Sequence, residues 1–354
     1  MQKDFHHTVT YVLSRLAGFE HNDSNTIAYS AQYVDDATNS GTVQFKNGAM
    51  YSRISSAHGT YDLHHHVNQH ENHLVWVPFH FLPGNDGKTS EEATTGKFIN
   101  KLVCRPDSPV AREMLDMCVR DAYKNYALHR LGITMHVYAD TFAHKGFAGK
   151  IHEVNKVYDL KLENEDLSYL DEKKSKGLTE RFPMGHGAAL ECPDKPYLRW
   201  SYKNALGEII SRDNTEDFMH AVNTLHAELC RYRYELDDSI DVPALLDEDL
   251  KQIESNFKTF TDPKGDNRHE MWIESIAKGE FSFGEQELSY VAKGEGSWKY
   301  DAIEQKSFFD SFNDRFNYRD SFLDSDWKLF HDALQEHRLT IIHDVLPKYG
   351  ICVS

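Results

Sequence analysis

The chain has 354 residues, 40% of them hydrophobic and 12% aromatic, which is enough to bury an ordinary core without division into many units. With 56 acidic against 39 basic residues the formal charge is -17, a field that repels polyanions and disfavours long nucleic acid as a partner. No run approaches the roughly 20 apolar residues of a membrane span, and the start MQKDFHHTVTYVLSRLAGF carries no signal-peptide core. Five widely spaced cysteines without a CxxC pair suit free thiols, so the expectation is a cytoplasmic protein.

Taken in chain order, Val9, Val12, Leu13 and Leu16 recur at helical spacing before Gly18, and His6 projects from the same buried face. A second helix is expected from Asn25 to about Tyr33, running into Asp35 and Asp36. Residues 41 to 87 lack periodicity, which predicts a long loop with a short strand pair. Ser108-Pro109 is a capped helix start, and the pattern continues as one or two helices to Gly146 or Gly149. Phe218, Val222, Leu225 and Leu229 mark a later helix, and Trp327 to Val345 another. The predicted fold class is mainly α, with long irregular loops and a helical C-terminal extension.

Histidine is the compositional anomaly, with 21 residues concentrated before position 190. In LHRLGITMHVYADTFAHKGFAG, His136, Asp140 and His144 stand at i, i+4 and i+8, which drifts only about 80° around a helix and keeps all three on one face. Four residues rise about 6 Å and eight about 12 Å, so neighbours share an ion more readily than the two histidines do. Asp140 is then the natural bridge between two ions. Leu131, Met135, Phe142 and Phe147 make the surroundings apolar, and a buried charged trio there needs a partner.

Further candidates are His80 in VPFHFLPGNDGK, Asp35 or Asp36 in IAYSAQYVDDAT as ligand or general base, and His186 and Asp194 in MGHGAALECPDKPYLRW. Within HGTYDLHHHVNQHENH only His58 stands apart; the consecutive His64, His65 and His66 read as surface histidines. His331-Asp332 and His343-Asp344 belong to an amphipathic helix without the other ligands of an HD phosphohydrolase.

HFLPGNDGKT followed by LGITMHVYADTFAH is similar to the zinc-dependent phospholipase C pattern, whose superfamily includes single-strand-specific nucleases. The first two hundred residues also resemble an uncharacterised bacterial family that keeps the DFH start, YVDD, FHFLPG and GHG…PD-x-P. The phospholipase resemblance implies a multi-helix domain in which His6, His80, His136 and Asp140 share a cluster and His144 and His186 serve a neighbouring ion. Asp35 or Asp36 would be the base, and Asp194 would replace the glutamate of a later H-x-x-x-E motif that this chain lacks. Relatives of that kind use a mature N-terminal tryptophan as a ligand, whereas this chain begins MQKDF.

The combined expectation is a metal-binding core at 1–204 with a helical part at 205–354 packed on it. It would hydrolyse a small or lipid-like phosphoester with two or three zinc ions, manganese and iron being alternatives. A non-catalytic structural metal or ligand site, or a His/carboxylate iron enzyme, would use the same residues.

Overall fold

A computed structural model describes residues 1–58, 69–92, 96–164, 183–235, 240–305 and 314–352. A π-helical turn, Asp4–Val9, runs into helix α1 (Thr10–Leu16), and α2 (His21–Asp36) folds back against it. A hairpin follows, β1 (Gly41–Phe45) with β2 (Met50–Arg53), then α3 (Gln69–Phe79), α4 (Pro109–Arg120) and α5 (Ala127–Ala143). The second hairpin, β4 (Arg199–Lys203) with β5 (Ile209–Asp213), takes β3 (Tyr158–Leu162) on its other side. Helices α6 (Asn214–Tyr234), α7 (Asp247–Thr259), α8 (Gly265–Ala277) and α9 (Asp326–Leu339) make up most of the rest.

The expectation of a mainly α domain is overturned by two three-stranded sheets, ordered β2-β1-β6 and β3-β4-β5, with β6 (Arg315–Phe316) parallel to β1. The strands escape notice in the sequence because none exceeds five residues. In β4 the alternation is nonetheless clear: Trp200 and Tyr202 are buried while Arg199 and Lys203 face outward. The expected strand pair within 41–87 is present, but that stretch also holds α3. The pattern beginning at Ser108 resolves into two helices, and the Ser108 side chain accepts from Ala111 N at the start of α4.

One large apolar cluster draws on both halves of the chain, including Phe5, Val12, Met135, Phe218, Leu225, Trp272 and Ile341. A second lies between α2, the first hairpin and α9, and a third sits under the second sheet around Phe81, Phe147 and Trp200. The packing that matters for the site is α2 against α5. Gly132 faces α2 so closely that a Cβ there would strike the Ile27 carbonyl and the Ser30 side chain. Glycine therefore permits the approach that brings Asp35 beside the polar face of α5.

No helix among the described residues is long and apolar enough to cross a membrane. The five cysteines are free, four buried and Cys352 exposed.

Candidate metal centre

Helix α5 carries His136 and Asp140 one turn apart and ends at His144 another turn on, and all three side chains are buried. Asp140 lies between the others. Its Oδ2 is 3.4 Å from His136 Nε2, 3.5 Å from His80 Nδ1 and 3.6 Å from His144 Nδ1, while its Oδ1 is 3.2 Å from His6 Nε2.

Among the described residues three donor groups result, each with its ligand atoms within 4.8 Å of one another: His6, His136 and Asp140; Asp35, His80 and His136; and His144, His186 and Asp194. These groups could hold metal ions. His136 and His144 fall into different groups, as their axial separation on the helix requires. Asp194 completes the third group, with Oδ1 3.5 Å from His144 Nε2 and Oδ2 3.5 Å from His186 Nε2.

Each of four rings is oriented by a backbone carbonyl at 2.8 Å: His136 Nδ1 at Ala31, His80 Nε2 at Ser56, His144 Nδ1 at His80 and His186 Nδ1 at Leu190. A proton held on that side leaves the opposite nitrogen with its lone pair, the form a metal takes. Leu190 adopts φ +57, a rare conformation for a branched residue, where its carbonyl meets His186. Gly185, at φ +53, is equally constrained, since a Cβ would collide with the Phe81 ring. Phe81 in turn stacks on His144 with centroids 4.6 Å apart.

The α-amino group of Met1 also lies in the site, 2.6 Å from Asp140 Oδ1 and 3.3 Å from Asp194 Oδ1. Helix α8 holds the segment that brings it there. Arg268 donates to Asp4 Oδ2 at 2.6 Å, to Gln2 Oε1 at 2.7 Å and to the Asp262 carbonyl at 2.7 Å. His7 meets His269 ring to ring, with Nδ1 and Nε2 2.9 Å apart.

The electrostatics follow from this crowding. Burial opposes the charge of the Met1 ammonium, but the Asp140 and Asp194 carboxylates overcome it and raise its pKa to about 11. Burial drives His6 well below its ordinary value, with His136 and the ammonium adding to the effect. Asp140 is held well below the carboxylate range, because His144, the ammonium, His136 and His6 outweigh its desolvation. Asp35 moves upward through burial, opposed by His136 and His80, and His80 moves upward because Asp140 and Asp35 outweigh its own burial.

A cavity of about 240 Å³ adjoins these groups, lined by Asp35, His58, Trp76, His80, Asp140 and Asp194 among others. Larger grooves of about 870 and 980 Å³ elsewhere contain none of the clustered donors. Because chemistry follows donors and not volume, the smaller cavity is the candidate site.

Of the residues singled out in the sequence, His6, Asp35, His80, His136, Asp140, His144, His186 and Asp194 are brought together. Asp36 turns away: its Oδ2 accepts from Tyr290 Oη at 2.6 Å and Gln32 Nε2 at 3.0 Å. His58 lines the cavity beside Trp76 but joins none of the three groups. His64, His65 and His66 lie outside the described residues. The Met1 amine, Trp76 and the clamp through Arg268 go unmarked in the sequence, since no motif or periodicity signals a contact made 264 positions away.

Residues 1–345 match the model of a family described as a family of unknown function (DUF6765), and the chain belongs to that family. No curated protein and no solved structure matches the chain. Nothing in these comparisons links it to the phospholipase C and nuclease superfamily, so that resemblance rests on the quoted motifs alone.

Proposed function

We propose that the chain is a metal-dependent hydrolase of small phosphoesters, with zinc as its ion. The observation that carries this reading is the position of Asp140 between donor groups that border an open cavity. Buried polar atoms normally have partners, yet His6 Nδ1 has none among the described residues. Neutral imidazoles with carboxylates are a donor set that suits zinc, and also manganese or iron. The likeness of HFLPGNDGKT and LGITMHVYADTFAH to the zinc-dependent phospholipase pattern supports the same chemistry.

Bound ions would supply positive charge for phosphate oxygens and lower the pKa of water. The residues of the chain have separate tasks. The carbonyl-tethered histidines present fixed lone pairs, so little reorganisation accompanies loading. Asp35 is partly exposed and lines the cavity, which makes its carboxylate the candidate proton acceptor during attack. Trp76 and Phe81 add apolar rings to the cavity lining. At about 240 Å³ the cavity admits a phosphoryl group with a small substituent, and a longer alcohol portion would remain outside.

A closed structural site is the rival reading, and the adjoining cavity counts against it because structural sites leave no open position. The test is elemental analysis of tag-free protein beside Asp140→Ala, followed by turnover of a chromogenic phosphodiester with added zinc or manganese. Ions present in the wild type and lost in the variant, with turnover, support the hydrolase. Tightly held metal without turnover of mono- or diesters favours the structural reading, iron with a coloured aerobic spectrum favours an oxygenase, and the absence of metal overturns the centre.

A further inference from the structure

The junction between β5 and α6 reaches both arms of the donor group formed by His144, His186 and Asp194. Arg212, the buried position on β5, turns its guanidinium to the end of α5. There Nη2 donates to the carbonyls of Phe142 at 3.3 Å and Ala143 at 3.1 Å, and Nη1 to that of Lys145 at 3.5 Å. Carbonyls at a helix end lack partners inside the helix and carry the negative end of its dipole, so a cation is the fitting partner. Nε donates to Asp217 Oδ2 at 2.8 Å, and the guanidinium lies over the Trp200 ring, 5.5 Å from its centroid.

Two residues on, Asn214 begins α6 and is fully buried. Its Nδ2 donates to the carbonyls of Cys192 at 2.6 Å and Lys195 at 2.8 Å, which uses both amide protons. Its Oδ1 accepts from Trp200 Nε1 at 2.9 Å, and its backbone N–H donates to the Leu198 carbonyl at 3.0 Å. Thr215 Oγ1 adds a bond to the Pro196 carbonyl at 2.9 Å. The carbonyls held by Arg212 stand on either side of His144, and those held by Asn214 and Thr215 stand on either side of Asp194.

His144 and Asp194 come from different segments, and their side chains meet at 3.5 Å, Nε2 to Oδ1. Ligand bonds of about 2.0 to 2.2 Å tolerate deviations of about 0.2 Å, so two segments that share an ion need a common support. The first donor group is held otherwise, His6 through the bonds of Arg268 to Asp4 and Gln2 and His136 by the Ala31 carbonyl. We infer that Arg212 and Asn214 are positioning residues for the group of His144, His186 and Asp194, fixing the spacing of His144 and Asp194 for a shared cation; this rests on the metal-centre reading and not on the reaction assigned to it.

The test titrates cobalt(II) into the metal-free full chain and follows its visible absorbance, with His186→Gln identifying the step that belongs to this group. Arg212→Lys keeps the charge but loses the planar fork, and Asn214→Ala removes the amide. Each is expected to weaken that step by about 10–100-fold and to leave the remaining steps at wild-type affinity. Asn256→Ala removes a buried amide bonded to Ser275 Oγ, outside the three groups, and is expected to leave that step in place. The step unchanged in Arg212→Lys or Asn214→Ala, all steps weakened alike, or equal weakening in Asn256→Ala overturns the positioning role. A wild type that takes up no cobalt overturns the metal centre and this role with it. Should either variant fail to fold, Thr215→Val decides in its place: it removes one bond, so weakening of the same step by about 2–10-fold supports the role and an unchanged step overturns it.

Discussion

Arg268 and Asp4 are joined by a buried ion pair, Nε to Oδ2 at 2.6 Å, that ties α8 to the segment bearing His6. Removing one partner of such a pair leaves the other charged and unsolvated. Arg268→Met is therefore expected to cost about 3–5 kcal/mol in chemical denaturation, whereas the double variant Arg268→Met with Asp4→Leu should recover much of that loss. A double variant no more stable than the single one would show that the pair is not the source of the effect.

The separation of the donor groups predicts separable ions. His186→Gln should lower metal content at the group with His144 and Asp194 and leave the His6, His136 and Asp140 group loaded. His136→Gln should do the reverse, and Asp140→Ala should deplete both. Elemental analysis of the three proteins after identical dialysis checks this, and equal loss in all three would mean a single cooperative site.

Asp35 and Asp36 are adjacent in sequence but differ in surroundings, Asp35 lying in a donor group and Asp36 bonded to Tyr290 and Gln32. Asp35→Asn is expected to reduce phosphoester turnover by about 10²–10⁴-fold if its carboxylate manages the proton. Asp36→Asn should leave turnover close to wild type and cost about 1 kcal/mol through weakened bonds to Tyr290 and Gln32. Steady-state kinetics with parallel unfolding curves separates the two, and equal kinetic losses would overturn the assignment.

This division shows how far the sequence could be read. The periodicity of His136, Asp140 and His144 puts them on one helical face, and that face is where they lie. Period cannot say which of two neighbouring carboxylates turns inward, because the end of α2 is positioned by its packing on α5 through Gly132. His186 and Asp194 are legible as residue types between glycines and prolines, but their partner is chosen by the irregular path through Leu190. The short strands were hidden by length, and the contact of Arg268 with Asp4 by separation along the chain.

Gly132→Ala tests the helix approach directly. Overpacking of this kind is expected to cost about 1–3 kcal/mol, since the added methyl meets backbone as well as side chain. A stability within a few tenths of wild type in denaturant titration would show that α2 and α5 can move apart freely.

His331 is one of several buried histidines that contribute to the pH dependence. It is buried beside Trp327 and its pKa is lowered from 6.5 to about 3, first by burial and then by Arg53 and Lys299. The unfolded chain binds a proton below pH 6.5 that the folded chain refuses until about pH 3. Stability from this group is thus complete above pH 6.5 and declines as pH falls toward 3, by up to about 1.4 kcal/mol per unit. Unfolding free energy followed from pH 7 to 4 should fall less steeply in His331→Gln, and an unchanged slope would place the sensitivity elsewhere.

The four tethered histidines lean on main-chain oxygens, at Ala31, Ser56, His80 and Leu190, and not on acidic side chains. A carbonyl survives any substitution at its own position that preserves the local trace. The outer support of the centre is therefore written in the course of the backbone, where side-chain replacement cannot delete it, and it yields only to changes that bend the chain, such as insertions, prolines or loss of the unusual turn at Leu190.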